Sequence, residues 1–202
     1  MIQIILKMIP LHILEQYPIT QKSYSKNTIV FNEGENAKFY FQVNTGEIKM
    51  FNLNDDGKEF AQGFFKAGKS FGEPPLFGNF NYPASAICIE DSELYILPKS
   101  SFFNLLKTHP EVHLKFTKTL CNRMLYKSKI MQEISIHPPE HRILTLLNYF
   151  KNLSGHDGLY EVKMTRQQIS DLTGLRVETV IRTIKQLEKL KKLKLKQHKV
   201  YL

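Results

Sequence analysis

Glu178 and Arg182 stand four residues apart in the run Val177-Glu178-Thr179-Val180-Ile181-Arg182, a spacing that places both side chains on one face of an α-helix. That pairing has a specific use. An arginine can donate two parallel N–H bonds to the edge of guanine, and a carboxylate can accept from the amino group of cytosine. Arg176, Thr179 and Lys185 belong to the same outward surface, and Val177 and Ile181 offer apolar contact to a thymine methyl. The competing reading is an intrahelical Glu178–Arg182 ion pair, worth about 0.2–0.5 kcal/mol.

Other chemistries find less support in the residue types. Cys88 and Cys121 are too few for a disulfide scaffold or a four-cysteine metal site, and read as buried small side chains in a reducing compartment. Residues 20–108 contain no histidine, which argues against a metal enzyme built in a β-barrel, since that needs several histidines and a carboxylate converging. His12 is the sole histidine before His109 and reads as a surface residue. No catalytic residue, cofactor or metal ligand is therefore expected. No apolar run is long enough to span a bilayer, and the apolar start lacks a basic leader and a small-residue cleavage site, so a cytoplasmic protein with no membrane partner is expected.

The elements that must carry Glu178 and Arg182 are legible. Thr165-Arg166-Gln167-Gln168 has the form of a capping box, in which the threonine oxygen accepts from the backbone three residues on and the glutamine reaches back. It opens a short helix over 166–173 with Ile169 and Leu172 inward, and Gly174 stops it. A second helix runs over 177–189 with Val180, Ile184 and Leu187 inward. Two short helices joined by a glycine turn make a helix-turn-helix, whose second helix enters the major groove. Arg166 and Gln167, at the start of the first helix, join the expected DNA-contacting set. The alternating basic and apolar residues of 194–202 suit a small hairpin, the wing of a winged helix. Charge agrees with this placement. Residues 136–202 hold 13 basic and 6 acidic residues, while residues 1–135 hold 15 and 13. Lys185, Lys189, Lys191, Lys192, Lys194, Lys196 and Lys199 supply charge for phosphates without base information.

Upstream the pattern changes. Residues 20–100 read as short strands at 28–31, 39–43, 47–51, 60–65, 85–89 and 93–97, with turns at Thr45-Gly46, Asp56-Gly57 and Ala67-Gly68. This spacing predicts a jelly roll or barrel. From Pro98 the period becomes helical, with a short helix over 100–106 and a longer one opening at His109-Pro110-Glu111. The long helix carries the stripe Val112, Phe116, Leu120, Met124 and Met131, widened by Ile130 and Ile134. Such a stripe is expected to pack on a second copy as a two-stranded coiled coil; the alternative is a helix lying along its own domain. Pro138-Pro139 then marks a boundary, followed by a helix ending near Gly155, a turn over 155–158 and a short strand at 160–163.

Thr165-Arg166, Ile169, Gly174, Thr179-Val180, Arg182 and Leu187 together resemble the helix-turn-helix pattern of the CRP/FNR regulators, and the upstream order of elements is similar over nearly the whole chain. The resemblance implies an α+β chain: a double-stranded β-helix (jelly-roll) sensor domain at 1–108, a dimerisation helix at 109–135 and a winged helix-turn-helix at 136–202. It implies a homodimeric bacterial transcription factor on a palindromic operator of double-stranded DNA, with RNA polymerase as a further partner and a small-molecule effector in the roll. Phe71-Gly72-Glu73 resembles the family's phosphate-binding cassette, so Gly72, Glu73, Tyr82, Pro83 and Ala84 form the expected effector pocket. In cyclic-nucleotide-binding members an arginine of the cassette neutralises the phosphate. Here Tyr82 aligns with that arginine and Pro83 with the following hydroxyl residue, and the nearest preceding basic residue is Lys69. Binding of cyclic AMP in the usual manner is not expected. The absence of cysteines before Cys88 excludes the family's iron–sulfur sensing. The glutamate and arginine point to a G·C pair in a TGA-like core. The alternative is a ligand-sensing or scaffolding protein without sequence-specific DNA regulation.

Overall fold

The computed structural model describes residues 7–202, except 55, 56, 58, 156, 157 and 198 and the side chains of 134 and 135. Part of the expected Asp56-Gly57 turn, part of the 155–158 turn, His198 of the wing and the Ile134 side chain therefore lie outside the described residues. The chain forms two compact units, Met1–Cys121 and Asn122–Leu202.

The first unit is a roll of two four-stranded antiparallel sheets. Its strands are β1 (Thr20–Tyr24), β2 (Ile29–Phe31), β3 (Phe39–Thr45), β4 (Glu47–Leu53), β5 (Glu59–Lys66), β6 (Ser70–Phe71), β7 (Ser85–Cys88) and β8 (Ser92–Pro98). One sheet has the order β1-β8-β3-β6 and the other β2-β7-β4-β5. The expected jelly roll is thus the observed architecture. β1 had no sequence mark because it is exposed along nearly its whole length and shows no alternation. Gly46, between β3 and β4, sits at φ +87°, and a Cβ there would lie 2.6 Å from the Asp91 carbonyl oxygen, so the tight turn requires glycine.

β3 is buried on both faces over Tyr40, Phe41, Gln42 and Val43. Phe41 stacks on Phe71 at 5.4 Å. Tyr40 stacks instead on Phe102 of α3 (Lys99–Thr108) at 4.6 Å. Gln42 accepts from the Ile9 backbone N–H at 2.8 Å and donates to its carbonyl at 3.0 Å, which ties the segment before the short helix α1 (Leu11–Leu14) to the sheet.

The long helix, α4 (Pro110–Ile136), starts and ends close to the expected limits, but its apolar residues divide differently. Val112 and Phe116 are buried in their own roll, and Leu120 packs against the same core. Phe116 meets Phe102 at 5.5 Å and Phe77 at 5.8 Å; Phe77 belongs to α2 (Pro74–Gly78). These contacts withdraw Val112 and Phe116 from the surface where a second chain could reach them, because the roll's aromatic layer uses that face of the helix. Met124 and Met131 are 70% and 67% exposed, as are Leu114 at 72% and Leu125 at 57%, two residues the stripe had omitted. At about 100° per residue, Leu114 and Leu125 lie about 20° apart on one side of the helix, and Met124 and Met131 lie about 20° apart on another, roughly 100° away.

The chain passes into the second unit within α4, ahead of the proline pair. Past the prolines come α5 (Pro139–Ser154), α6 (Arg166–Thr173), α7 (Val177–Lys189), β9 (Lys194–Lys196) and β10 (Lys199–Tyr201). α5 ends on Gly155 in the left-handed conformation, φ 66°. The expected strand at 160–163 is reduced to one bridge, Glu161 to Tyr201, at the edge of the β9–β10 hairpin. Ile143, Leu146, Leu147, Ile169, Val180 and Ile184 are the buried centre of this unit. Cys88 is buried as expected, while Cys121 is exposed, since it lies on the α4 face turned away from the roll core.

Candidate functional site

Two regions carry the expected site residues: the α6–α7 surface with the wing, and the cassette of the roll.

The helix-turn-helix is fixed by local hydrogen bonds. Thr165 Oγ1 accepts from the Gln168 N–H at 3.0 Å, and Gln168 Oε1 accepts from the Thr165 N–H at 2.9 Å, which completes the capping box. Caps of this kind contribute about 1 kcal/mol each. Gly174 ends α6 at φ 68°, and Ser170 Oγ donates to the Leu175 carbonyl at 2.6 Å across the turn. Gln167 Nε2 donates to Asp171 Oδ1 at 2.7 Å, so this side chain is partly engaged within its own helix. Arg166 is half-buried, and burial lowers its guanidinium from the ordinary arginine range.

The α7 face is open. Arg176, Glu178, Ile181, Arg182 and Lys185 are exposed, and Val177 and Thr179 are half-buried beside them. No ion pair joins Glu178 to Arg182, and among the described residues neither has a partner in the chain. The competing ion-pair reading therefore does not describe this helix. Val180, Thr183, Ile184 and Leu187 fill the opposite, buried face. A cleft of about 370 Å³ separates α7 from the wing, with Ile181, Lys185, Arg166 and Lys199 on its walls.

The wing differs from expectation in one residue. Lys199 donates to Glu161 Oε1 at 2.8 Å, and the Tyr201 hydroxyl donates to Glu161 Oε2 at 3.0 Å. These two hydrogen bonds hold the Glu161 carboxyl below its ordinary range. Lys199 thus anchors the wing, whereas Lys189, Lys191, Lys192, Lys194 and Lys196 are exposed.

The cassette is filled with aromatic rings. Gly72 has φ +71°, and a Cβ there would lie 3.0 Å from Phe31 and 3.3 Å from Tyr82. Those two rings stack with centroids 3.7 Å apart and planes at 10°. Tyr82 is buried, and its backbone pairs with the loop before β3: its N–H donates to the Glu35 carbonyl and its carbonyl accepts from Gly34 N–H. Glu73 and Ala84 are buried and Pro83 is exposed. Burial, and then the carboxylates of Glu35 and Glu73, push the Tyr82 phenol above its ordinary range. The sequence holds no arginine before Arg123. Beside the cassette lies an open pocket of about 340 Å³ between Phe31, Phe39, Phe41 and Tyr82, with Glu35 and Lys38 among its polar walls. Of these, the sequence pointed only to Tyr82; the others belong to strands and a loop far from the cassette in the chain.

The family pattern for the cyclic nucleotide-binding domain matches residues 21–109, and that for the Crp-like helix-turn-helix domain matches residues 141–202. The cAMP-activated global transcriptional regulator CRP of Haemophilus influenzae is 28% identical over 180 residues, covering 87% of this chain and 77% of that protein. Electron transport regulator A of Shewanella oneidensis is 24% identical over 173 residues, covering 84% and 69%. The structure of FixK2 from Bradyrhizobium japonicum superposes with a TM-score of 0.74 at 24% identity, covering 91% of this chain and 92% of its own. With a roll of this kind leading into a helix-turn-helix whose α7 face is open, the chain belongs to the CRP/FNR family of DNA-binding transcriptional regulators.

Proposed function

We propose that the chain acts as a homodimer on a palindromic operator, with α7 of each copy in adjacent major grooves about 34 Å apart. The observation that carries this reading is the open α7 face, where Glu178 and Arg182 stand exposed on one side and have no hydrogen-bond or ion-pair partner among the described residues. Pairing of two copies is supported by the exposed apolar side chains of α4, Leu114 and Leu125 on one side and Met124 and Met131 on another, which would remain in water in a single chain. The roll serves as effector domain, and its effector is not cyclic AMP held through a cassette arginine. An anionic phosphate over Gly72 would meet stacked rings and the carboxylates of Glu35 and Glu73. The adjoining aromatic pocket suits a planar or apolar molecule better than a phosphate.

Anisotropy titration on genomic fragments tests the reading. One palindrome should be preferred over random duplex, and affinity should fall about tenfold or more per doubling of salt if about six phosphates are neutralised. Leu125→Glu places a charge in the exposed α4 face and should yield a single chain by sedimentation, with half-site affinity only. No preference for any fragment at any salt would sink the proposal.

The cassette makes a separate prediction. Calorimetric titration with cyclic AMP should give no saturable heat at about millimolar nucleotide. Saturable binding in the micromolar range would show that the roll supplies a phosphate partner after all.

A further inference from the structure

The break between α4 and α5 gathers three side chains of metal-ligating type. Glu133 is in the last turn of α4, His137 follows the helix, and His141 is in the first turn of α5. Pro138 and Pro139 stand between the two histidines. The backbone is held on both sides of the prolines. The His137 N–H donates to the Glu133 carbonyl at 3.1 Å, the His141 N–H donates to the Pro138 carbonyl at 3.1 Å, and Arg142 Nε donates to the His137 carbonyl at 2.8 Å. The side chains converge. His141 Nδ1 lies 2.5 Å from Glu133 Oε2, and the two imidazole rings stack with centroids 4.0 Å apart. One donor atom from each of the three residues lies within 4.8 Å of the other two, and no other group of three such residues does so among the described residues.

We propose that Glu133, His137 and His141 form a site for a divalent transition metal of the zinc class, with the fourth position open to water. Two imidazoles and a carboxylate are a donor set that zinc accepts, with bonds of about 2.0–2.2 Å. Imidazole donors also discriminate against magnesium and calcium, which take oxygen. In a tetrahedral arrangement the donors stand about 3.3 Å apart, and here they already lie within 4.8 Å of one another. The Glu133–His141 hydrogen bond is then the metal-free form of the site, in which a buried carboxylate at 7% exposure already has its partner in place. The metal would join the end of α4 to the start of α5 across the prolines and stiffen that junction. This inference stands apart from the DNA reading, because its test involves no duplex.

Full-length, tag-free protein is titrated with Co2+ and Zn2+, followed by the visible absorption of bound Co2+ and by calorimetry. One equivalent should bind, Zn2+ should displace Co2+, and Zn2+ should raise the thermal transition in proportion to its free concentration. His137→Ala and His141→Ala should each weaken binding more than tenfold, while His113→Ala, in the exposed segment near His109, should not. Circular dichroism of the metal-free variants shows whether they fold, and His141→Asn provides a smaller polar replacement should the alanine variant fail. Binding well below one equivalent, affinity unchanged in folded His137→Ala and His141→Ala or His141→Asn, or loss confined to His113→Ala would each overturn the proposal.

Discussion

Arg182→Ala is expected to fold as the parent does and to lose discrimination at one base pair of each half-site. The side chain is exposed and has no hydrogen bond or ion pair among the described residues, so its removal leaves no buried group unsatisfied and changes stability little. A bidentate arginine–guanine contact contributes about 1–3 kcal/mol of discrimination, which is roughly 5-fold to 150-fold in specific affinity per half-site. Binding to random duplex should fall far less, because the lysines beyond α7 still meet phosphates. Arg182→Lys should recover part of the charge term but not the base preference, since an ammonium cannot make the two-pronged contact. The measurement is a binding profile over a library of half-site variants. A profile in Arg182→Ala with the same base preferences as the parent would mean that α7 does not read sequence through this residue, and the sensing or scaffolding alternative would gain.

Phe116→Ala should destabilise the roll by about 3–5 kcal/mol, the cost of deleting a fully buried aromatic ring. Its ring fits between Phe102, Phe77 and Tyr40, so the cavity would open inside the aromatic layer under α3 and α4. The prediction separates two roles for the residue. A core ring lowers the unfolding midpoint of the roll at every protein concentration and leaves the association state of the folded chain unchanged. An interface ring would instead leave the single chain stable and shift the dimer equilibrium. Denaturant unfolding at two concentrations, with sedimentation of the folded variant, decides between them, and a stable variant that no longer associates would refute the assignment to the core.

That contrast shows why the long helix was only half legible. Its existence, start and end follow from helical spacing, an initial proline and a proline pair near its end, all local properties of the chain. The partner of each apolar position does not. Val112 and Phe116 have the same chemical character as Leu114 and Leu125, and only packing against the roll divides them into a buried and an exposed face. The cassette behaved similarly. That a cation is missing near Gly72 is a property of composition, whereas the stacking of Phe31 on Tyr82 joins residues about fifty positions apart. Glu133, His137 and His141 stayed hidden because a proline pair interrupts the helix that regular spacing would have needed to bring them together.

The sequence by itself determined the elements whose signals act over a few residues: the capping box at Thr165, the glycine stop at 174, the four-residue spacing of Glu178 and Arg182, and the concentration of positive charge beyond residue 135. Hydrogen bonds of caps and turns are short-range, so their residues announce them. Only the tertiary structure decided that Glu178 and Arg182 stay unpaired among the described residues, that Lys199 is held by Glu161, that the cassette is closed by aromatic rings, and which apolar residues of α4 remain in water. Those outcomes depend on which distant groups compete for the same space, and burial settles that competition only once the whole chain has packed.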